Sequence, residues 1–525
     1  MTSLLSKHFS SLDRWRICLF TIVAAYGVLL TMELSTNSML WDEVTHFHGG
    51  LLLSRGQVGT WVWTNSLYPP IYDLFTAAYY LIAGPSVFAG RLVAVTFSVL
   101  SVIVIYELTS RLYNKKTALL SAALFAVMPG IVWLSRLAMI ETLLIFVFSL
   151  CLLYFFSWIS NGRERDRKLC IVLFAVGVAV KYQTIVVAPL IMLLAMFFWK
   201  RPYVKDELKR CLKLPRIAII VATTVMVAAI FLVLLVSGIL DVLFFAIKVG
   251  TEQKAVFSAR YPLPIFYFIE MTWFDNLIHP ISLVLYLIGL AGLGLMAWRR
   301  KKADKYLLLW FAVVYVIFTL IPNREWRYVT IAFPVLAIAG ACFLTASYGK
   351  LHELWKNAGQ SLTRRWGSKV LAVALVSFTV AGGFLSCADA YNWVNQTKVS
   401  VHIEQAVNYA AQNLTGNQSV AVACPLNRFN QYMVRYYLNV KDPSFDFSKA
   451  WQYPAEAVDA YTPDFNISDF TLLCKQHDAK YLLLYESSQK PYFNTNLNAQ
   501  TIYNNLKEVG GFTLEGAFGL EPDRV

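Results

Sequence analysis

Asp42 and Glu43 stand side by side, with Trp41 before them and His46 and His48 after them. Two adjacent carboxylates beside a long apolar run are costly to desolvate unless they have a partner or a task. The task that suits them is general-base chemistry on an acceptor hydroxyl, or metal binding. A helix-capping pair in a solvated loop would leave the same dipeptide. A third acid, Glu141, closes the stretch Arg136-Leu137-Ala138-Met139-Ile140-Glu141 and opens another apolar run. The helix macrodipole favours an acid there; a cationic partner, or a metal shared with Asp42, is the alternative.

Cations fall at matching places. Lys181, followed by Tyr182, sits on the turn between two apolar runs. It suits a lipid phosphate, or a lysine that snorkels to the interface. Asn323-Arg324-Glu325-Trp326-Arg327-Tyr328 places two arginines and two aromatics at the end of a further run. The guanidinium fork matches phosphate oxygens. A purely structural Arg324–Glu325–Arg327 surface network would gain little. Tyr68-Pro69-Pro70 breaks the chain, and the paired prolines fix how the next helix starts. Carboxylates and cations on one face suit displacement at an anomeric carbon: the base takes the acceptor proton, and the cations stabilise the leaving phosphate.

The elements that must hold these groups are membrane helices. Hydrophobic residues make up 57% of the 525 and charged residues 15%, with a mean hydropathy of +0.52. A soluble chain carries about 25% charged residues. Apolar runs long enough to span recur from Ile17 to Cys387, without the period-2 alternation of a β-barrel. Eleven spans are expected, near 17–33, 88–110, 117–132, 139–158, 167–181, 183–199, 216–238, 276–298, 305–321, 328–347 and 369–387. The apolar segment 72–83 is short and ends at Gly84-Pro85, which reads as an interfacial or re-entrant helix. The first run has no small-residue cleavage site behind it, so it reads as a retained anchor.

Charge sets the orientation. With the N-terminus inside, the inner loops hold 27 lysines and arginines and the outer loops 8. That bias puts the polar clusters and the C-terminus outside. It also explains the net charge of +14 without nucleic acid.

The expected architecture is an all-α polytopic domain over 1–388 followed by a small α/β extracytoplasmic domain over 389–525. The tail holds 14 acidic and 10 basic residues, strand-like runs at Val420–Cys424 and Tyr481–Tyr485, and a helix-like run at Val401–Asn413. Four N-x-S/T sequons, at Asn395, Asn413, Asn417 and Asn466, fit an outside location. Cys424 and Cys474 are the tail's cysteines, and a disulfide between them is one expectation for such a domain.

The stretch from Trp41 to Phe156 resembles the glycosyltransferase C superfamily, in the branch of the protein O-mannosyltransferases and aminoarabinose transferases. The resemblance is carried by Asp42-Glu43, Tyr68-Pro69-Pro70, Arg91-Leu92, the basic loop Arg111–Lys116, Pro129, and Arg136 to Glu141. Gly177 to Lys181 resembles the family's Gly-x-x-x-Lys segment, and Asn323–Tyr328 with Pro334 resembles its His-Lys-Glu-x-Arg-aromatic segment. Tyr68 stands where the family has histidine, Glu141 where aspartate is commoner, and Asn323-Arg324 where it has His-Lys. The resemblance implies an inverting transferase that uses a polyprenyl- or dolichyl-phosphate sugar. It makes Asp42 the general base, with Glu43 and Glu141 as supporting carboxylates. Lys181, Arg324 and Arg327 would bind the donor phosphate, supported by Tyr68, Arg136, Glu325 and Tyr328. No cofactor is required; a divalent metal, at Asp42 and Glu141 if anywhere, is compatible. The acceptor would be a protein, lipid or glycan. The competing reading is a lipid or solute transporter, which places its polar groups at mid-membrane depth rather than at helix ends.

Overall fold

The computed structural model describes residues 14–65, 69–197, 260–274, 278–356, 362–396, 398, 400–415, 417–423, 429–453, 465–486, 499–520 and 523–525. The span expected at 216–238, Tyr68 and Cys424 lie outside the described residues.

The first long helix, α1 (Arg14–Thr31), is followed by three short ones, α2 (Trp41–Ser54), α3 (Val58–Asn65) and α4 (Ile71–Ala83). α5 (Val87–Leu112) begins at Ser86, whose Oγ accepts the Ala89 N–H at 3.2 Å. α6 (Lys115–Ala126) begins at Asn114, whose Oδ1 accepts the Thr117 N–H at 2.9 Å. Both are side-chain N-caps that satisfy otherwise orphaned amides. Pro129 then starts α7 (Pro129–Ser135), which bends 65° from α6. The run expected as one span at 117–132 is therefore broken, because proline supplies no N–H to continue the helix. α8 (Ile140–Asn161) ends at Gly162 in the left-handed conformation and turns into α9 (Glu164–Val180).

A 3₁₀ turn (Tyr182–Val186) leads to α10 (Val187–Phe197). Beyond the undescribed stretch come α11 (Phe266–Glu270), α12 (Leu283–Arg299) and α13 (Lys302–Leu320). A second 3₁₀ turn (Trp326–Ala332) runs into α14 (Phe333–Lys356), and α15 (Leu362–Gln396) completes the helical part.

Six described helical stretches are long and apolar enough to cross a membrane, or seven if α6 and α7 count as one. Eleven spans were the sequence expectation. The shortfall among described residues has local causes. α9 opens on Glu164, Arg165, Asp166, Arg167 and Lys168, while α10 and α12 are under 18 residues long. α12 starts at Leu283 rather than 276, just past Pro280 and its N-cap Ser282.

Burial orders the bundle. The apolar windows of α5, α8 and the stretch 326–356 are 67%, 72% and 83% buried, those of α1 and α15 only 11%. The first three form the core, and the last two expose apolar faces such as Phe20, Val28, Val373 and Phe384. For an integral membrane protein such faces meet lipid. α12 and α14 approach so closely that a Cβ at Gly292 would collide with the Ala339 backbone.

After α15, which runs past 388 to Gln396, the chain forms a small α/β unit. It contains α16 (Ile403–Asn413), β1 (Ser419–Ala423), α17 (Gln431–Lys441), β2 (Ala450–Tyr453), α18 (Ile467–Gln476) and β3 (Ala479–Leu484). α19 (Ala499–Val509) follows, then β4 (Gly519–Leu520) and β5 (Asp523–Arg524), which pair antiparallel. The three strands are parallel in the order β2-β1-β3, with Val420 opposite Ala450 and Tyr481. β1 is buried throughout, as parallel strands covered by helices are.

This unit rests on α2. Phe47 packs on Tyr436 (ring centroids 5.9 Å), Trp41 on Tyr432 (5.7 Å), and the Tyr80 and Tyr436 hydroxyls meet at 3.1 Å. Arg55 Nη1 donates to Asn439 O (2.6 Å) and Oδ1 (3.0 Å) in the last turn of α17. The C-terminal unit and the α1–α5 connection therefore share one end of the bundle.

Candidate functional site

Asp42 and Glu43 lie in the first turn of α2 and face different worlds. Glu43 is fully buried. Its Oε1 accepts Arg91 Nε (2.8 Å) and the Ala138 N–H (2.7 Å), and its Oε2 accepts Arg91 Nη2 (2.8 Å) and the Leu40 N–H (2.9 Å). Arg91, equally buried, gives its other N–H groups to Leu34 O, Asn37 O and Ser38 O at 2.8, 2.8 and 3.1 Å. All five guanidinium donors are used. The pair locks the α1–α2 loop to α5 and to the start of α8.

Asp42 has a side chain 43% exposed and accepts Arg327 Nη1 at 2.7 Å. Arg327 turns its other edge to Glu325, with Nε to Oε1 at 2.6 Å and Nη2 to Oε2 at 2.8 Å. The turn that carries Arg327 is anchored by Trp326, which is buried among Trp133, Trp393, Phe274 and Phe333. Trp310 Nε1 holds the same turn through Ile331 O at 3.0 Å.

Glu141, in the first turn of α8, is buried and accepts Lys181 Nζ on Oε1 at 2.9 Å, while its Oε2 has no hydrogen-bond partner among the described residues. Lys181 closes α9, and its ammonium stands 5.8 Å from the centre of the Tyr328 ring. Met139 Sδ lies 3.9 Å from Arg327 Nη1, which brings the Glu141–Lys181 pair up to the Asp42–Arg327 pair. Six of the expected residues thus converge: Asp42, Glu141, Lys181, Glu325, Arg327 and Tyr328. All sit at or just beyond helix ends.

The others go elsewhere. Arg136 donates to Leu29 O, Leu30 O and Glu33 O, so it caps the C-terminus of α1. Arg324 donates Nε to Thr319 O at 3.2 Å at the end of α13 and stacks over Phe266. Glu43 belongs to the frame around the site.

Sequence reasoning passed over four residues here. Arg91 was noted only as part of a motif. Asp73, in the first turn of α4, is buried and bridges His46 Nδ1 (2.7 Å) and Trp61 Nε1 (2.8 Å). The Tyr72 ring lies 4.5 Å from His46, and its buried hydroxyl has no hydrogen-bond partner among the described residues. Glu270, at the end of α11, is buried beside Glu325. The available signal was a single acid inside an otherwise apolar stretch, Ile71-Tyr-Asp-Leu-Phe and Phe266-Tyr-Phe-Ile-Glu.

Among the described residues no group of three or more His, Cys, Asp and Glu side chains is placed to hold a metal. Asp42 and Glu141 each already carry a cationic side chain.

Residues 68–228 match the family of dolichyl-phosphate-mannose-protein mannosyltransferases. The fold is similar to ArnT from Cupriavidus metallidurans in the apo state (TM-score 0.56, 14% identity, 87% of this chain and 91% of that one). The same protein bound to undecaprenyl phosphate gives 0.55, with 15% identity and 88% and 89% coverage. The archaeal oligosaccharyltransferase AglB from Archaeoglobus fulgidus, in complex with an inhibitory peptide and a dolichol-phosphate, gives 0.53, with 13% identity and 88% and 69% coverage. No curated protein matches in sequence. The chain shares its fold with ArnT and AglB. Over residues 68–228 it is similar to the protein-mannosyltransferase family, in agreement with the resemblance that its motifs carry.

Proposed function

We propose that this protein moves a sugar from a polyprenyl or dolichyl monophosphate to a hydroxyl or amine of a protein, lipid or glycan acceptor, with inversion. The observation that carries the proposal is the convergence of Asp42 with Arg327 and Glu141 with Lys181, joined at Met139 and Tyr328. Asp42, the most exposed of these carboxylates, takes the acceptor proton as the new bond to the anomeric carbon forms. The bond from that carbon to the phosphate oxygen breaks, and the electron pair leaves with the lipid phosphate. Arg327 and Lys181 neutralise the charge that develops there. In this reading the incoming phosphate takes over Arg327 Nη1 and frees Asp42 to act. The supporting comparison is with ArnT and AglB, whose structures hold undecaprenyl phosphate and a dolichol-phosphate. Charge bias supports an outer-face site with the N-terminus inside.

The test is transfer in proteoliposomes from labelled polyprenyl-phosphate sugars to extracted membranes, comparing wild type with Asp42→Asn. Transfer by wild type, lost in Asp42→Asn with donor binding kept, supports enzyme and base together. Equal transfer removes Asp42 from the mechanism. No transfer across several donors leaves a transporter as the better reading.

A further inference from the structure

Glu270 is completely buried, yet among the described residues neither carboxylate oxygen has a hydrogen-bond partner. One turn earlier, the buried Tyr267 hydroxyl has none either. Four described elements pack around α11, and their charged and titratable groups are few; α12 offers the Tyr286 hydroxyl, which donates to Phe268 O at 2.9 Å. From the segment leading into the Trp326 turn, Glu325 and the Trp326 backbone face Glu270, while Arg324 and Tyr328 face Tyr267. From the chain ahead of α11, Arg260 faces Glu270, but its Nη1 is committed to Phe274 O at 2.6 Å. From α13, the Tyr315 hydroxyl accepts the Phe268 N–H (3.2 Å) and donates to Pro264 O (2.8 Å). Among the described residues no side chain donates to Glu270.

A buried carboxylate to which no described side chain donates, beside a second carboxylate, is held far more cheaply as the neutral acid. Burial first, and the Glu325 charge second, push the Glu270 carboxyl up to about 8. Glu325 is the residue that grips Arg327 at two points. The charge on Glu270 therefore bears directly on the cation expected to meet the phosphate.

We propose that Glu270 is a positioning residue of the cationic side of the site: kept neutral, it lets Glu325 hold Arg327 in place, and its ionisation disrupts that hold and weakens the phosphate site. This rests on the lipid-phosphate reading above. Ionised Glu270 adds a negative charge beside Glu325, repels it, and competes for the neighbouring arginines. The potential that an anionic phosphate meets becomes less favourable.

The experiment measures binding of a polyprenyl monophosphate to the full chain in lipid nanodiscs from about pH 6 to pH 10, for wild type and Glu270→Gln. The infrared band of a protonated carboxyl is followed over the same range. Wild-type Kd is expected to rise up to about tenfold per pH unit once Glu270 ionises. Glu270→Gln, permanently neutral, is expected to keep its neutral-pH affinity throughout and to lack a carboxyl band that titrates near 8. The same alkaline loss in both proteins overturns the proposal. So does a wild-type spectrum at pH 7 with no protonated carboxyl band that Glu270→Gln removes; the wild-type titration does not depend on the variant folding. Absence of lipid-phosphate binding at every pH overturns the functional reading instead, while the infrared band still decides the state of Glu270.

Discussion

Arg91 and Glu43 form a closed two-point pair, Nε to Oε1 and Nη2 to Oε2, both at 2.8 Å and both fully buried. The pair separates two carboxylates that are adjacent in sequence. Glu43 points into the protein and is spent on structure, and Asp42 points towards Arg327 and keeps part of its surface. One helix turn thus carries a fixed group and an available one.

The first prediction follows from that separation. Arg91→Leu leaves Glu43 buried and without its counter-charge, and is expected to cost about 3–5 kcal/mol of stability. Asp42→Asn, at a half-exposed pair, is expected to change stability by about 1 kcal/mol or less. Thermal unfolding in detergent distinguishes them. Equal losses would show that Asp42 is as structural as Glu43.

Activity should divide the other way. Asp42→Asn is expected to lower transfer about 10²–10⁴-fold with donor affinity nearly unchanged, as loss of a general base does. Arg327→Lys keeps the charge but cannot span Asp42 and Glu325 together, because an ammonium lacks the planar fork. It is expected to weaken donor binding more than it lowers the rate of bound donor. Single-turnover kinetics with separate donor titration would expose the opposite pattern.

Much of this was legible in the sequence. Apolar runs mark α1, α5, α8, α13, α14 and α15 because spanning helices must satisfy their backbones internally, so composition alone reveals them. Asp42, Glu141, Lys181 and Arg327 stood out because charge at the edge of an apolar run is costly. What stayed hidden was partnership. Arg91 and Glu43 are 48 residues apart, and Arg327 and Asp42 are 285 apart. Nothing local says which acid meets which base. Arg136, grouped with the site by motif, in fact caps α1, and Asp73 was lost within an apolar helix because one acid hardly alters a hydropathy window. The break at Pro129 was readable from proline chemistry, yet the apolar run disguised it as a single span.

Lys181 and Glu141 give a test by compensation. Lys181→Met leaves Glu141 buried with neither oxygen paired, and is expected to cost about 3–5 kcal/mol. Adding Glu141→Gln removes the stranded charge and is expected to restore much of that stability. Donor binding should stay weak in both, since the cation is gone from both. Recovery of binding in the double variant would mean that Lys181 serves only to neutralise Glu141.

Gly130 is a position where no side chain fits. Its N–H donates to Pro280 O at 2.8 Å, and a Cβ there would lie 2.9 Å from both that oxygen and Trp326 Cζ3. Trp326 anchors the turn that carries Arg327, so crowding at Gly130 is transmitted to the site. Gly130→Ala is expected to cost about 1–3 kcal/mol and to weaken donor binding without touching a polar group. Trp326 fluorescence, measured against a variant lacking that tryptophan, should shift; unchanged fluorescence and binding would show that the turn is held by its other contacts.

His48 lies on α2, where the C-terminal unit covers it. Its ring meets Phe447 at 4.8 Å, Arg435 is its charged neighbour, and its buried Nε2 has no hydrogen-bond partner among the described residues. Burial first and the Arg435 charge second lower its pKa to about 4, so it is neutral in the folded protein at neutral pH. The unfolded chain, with an ordinary histidine pKa of about 6.5, takes up a proton first as the pH falls. Stability is therefore present above about pH 6.5 and is lost as the pH drops from there towards 4. His48→Gln cannot take up that proton and is expected to flatten the acid limb of the unfolding profile, with the difference from wild type confined to that window. Limited proteolysis of the α17 region at about pH 5 is expected to show faster cleavage in wild type than in the variant. Superimposable acid limbs would place the loss in the carboxylate pairs of the membrane domain rather than at this contact.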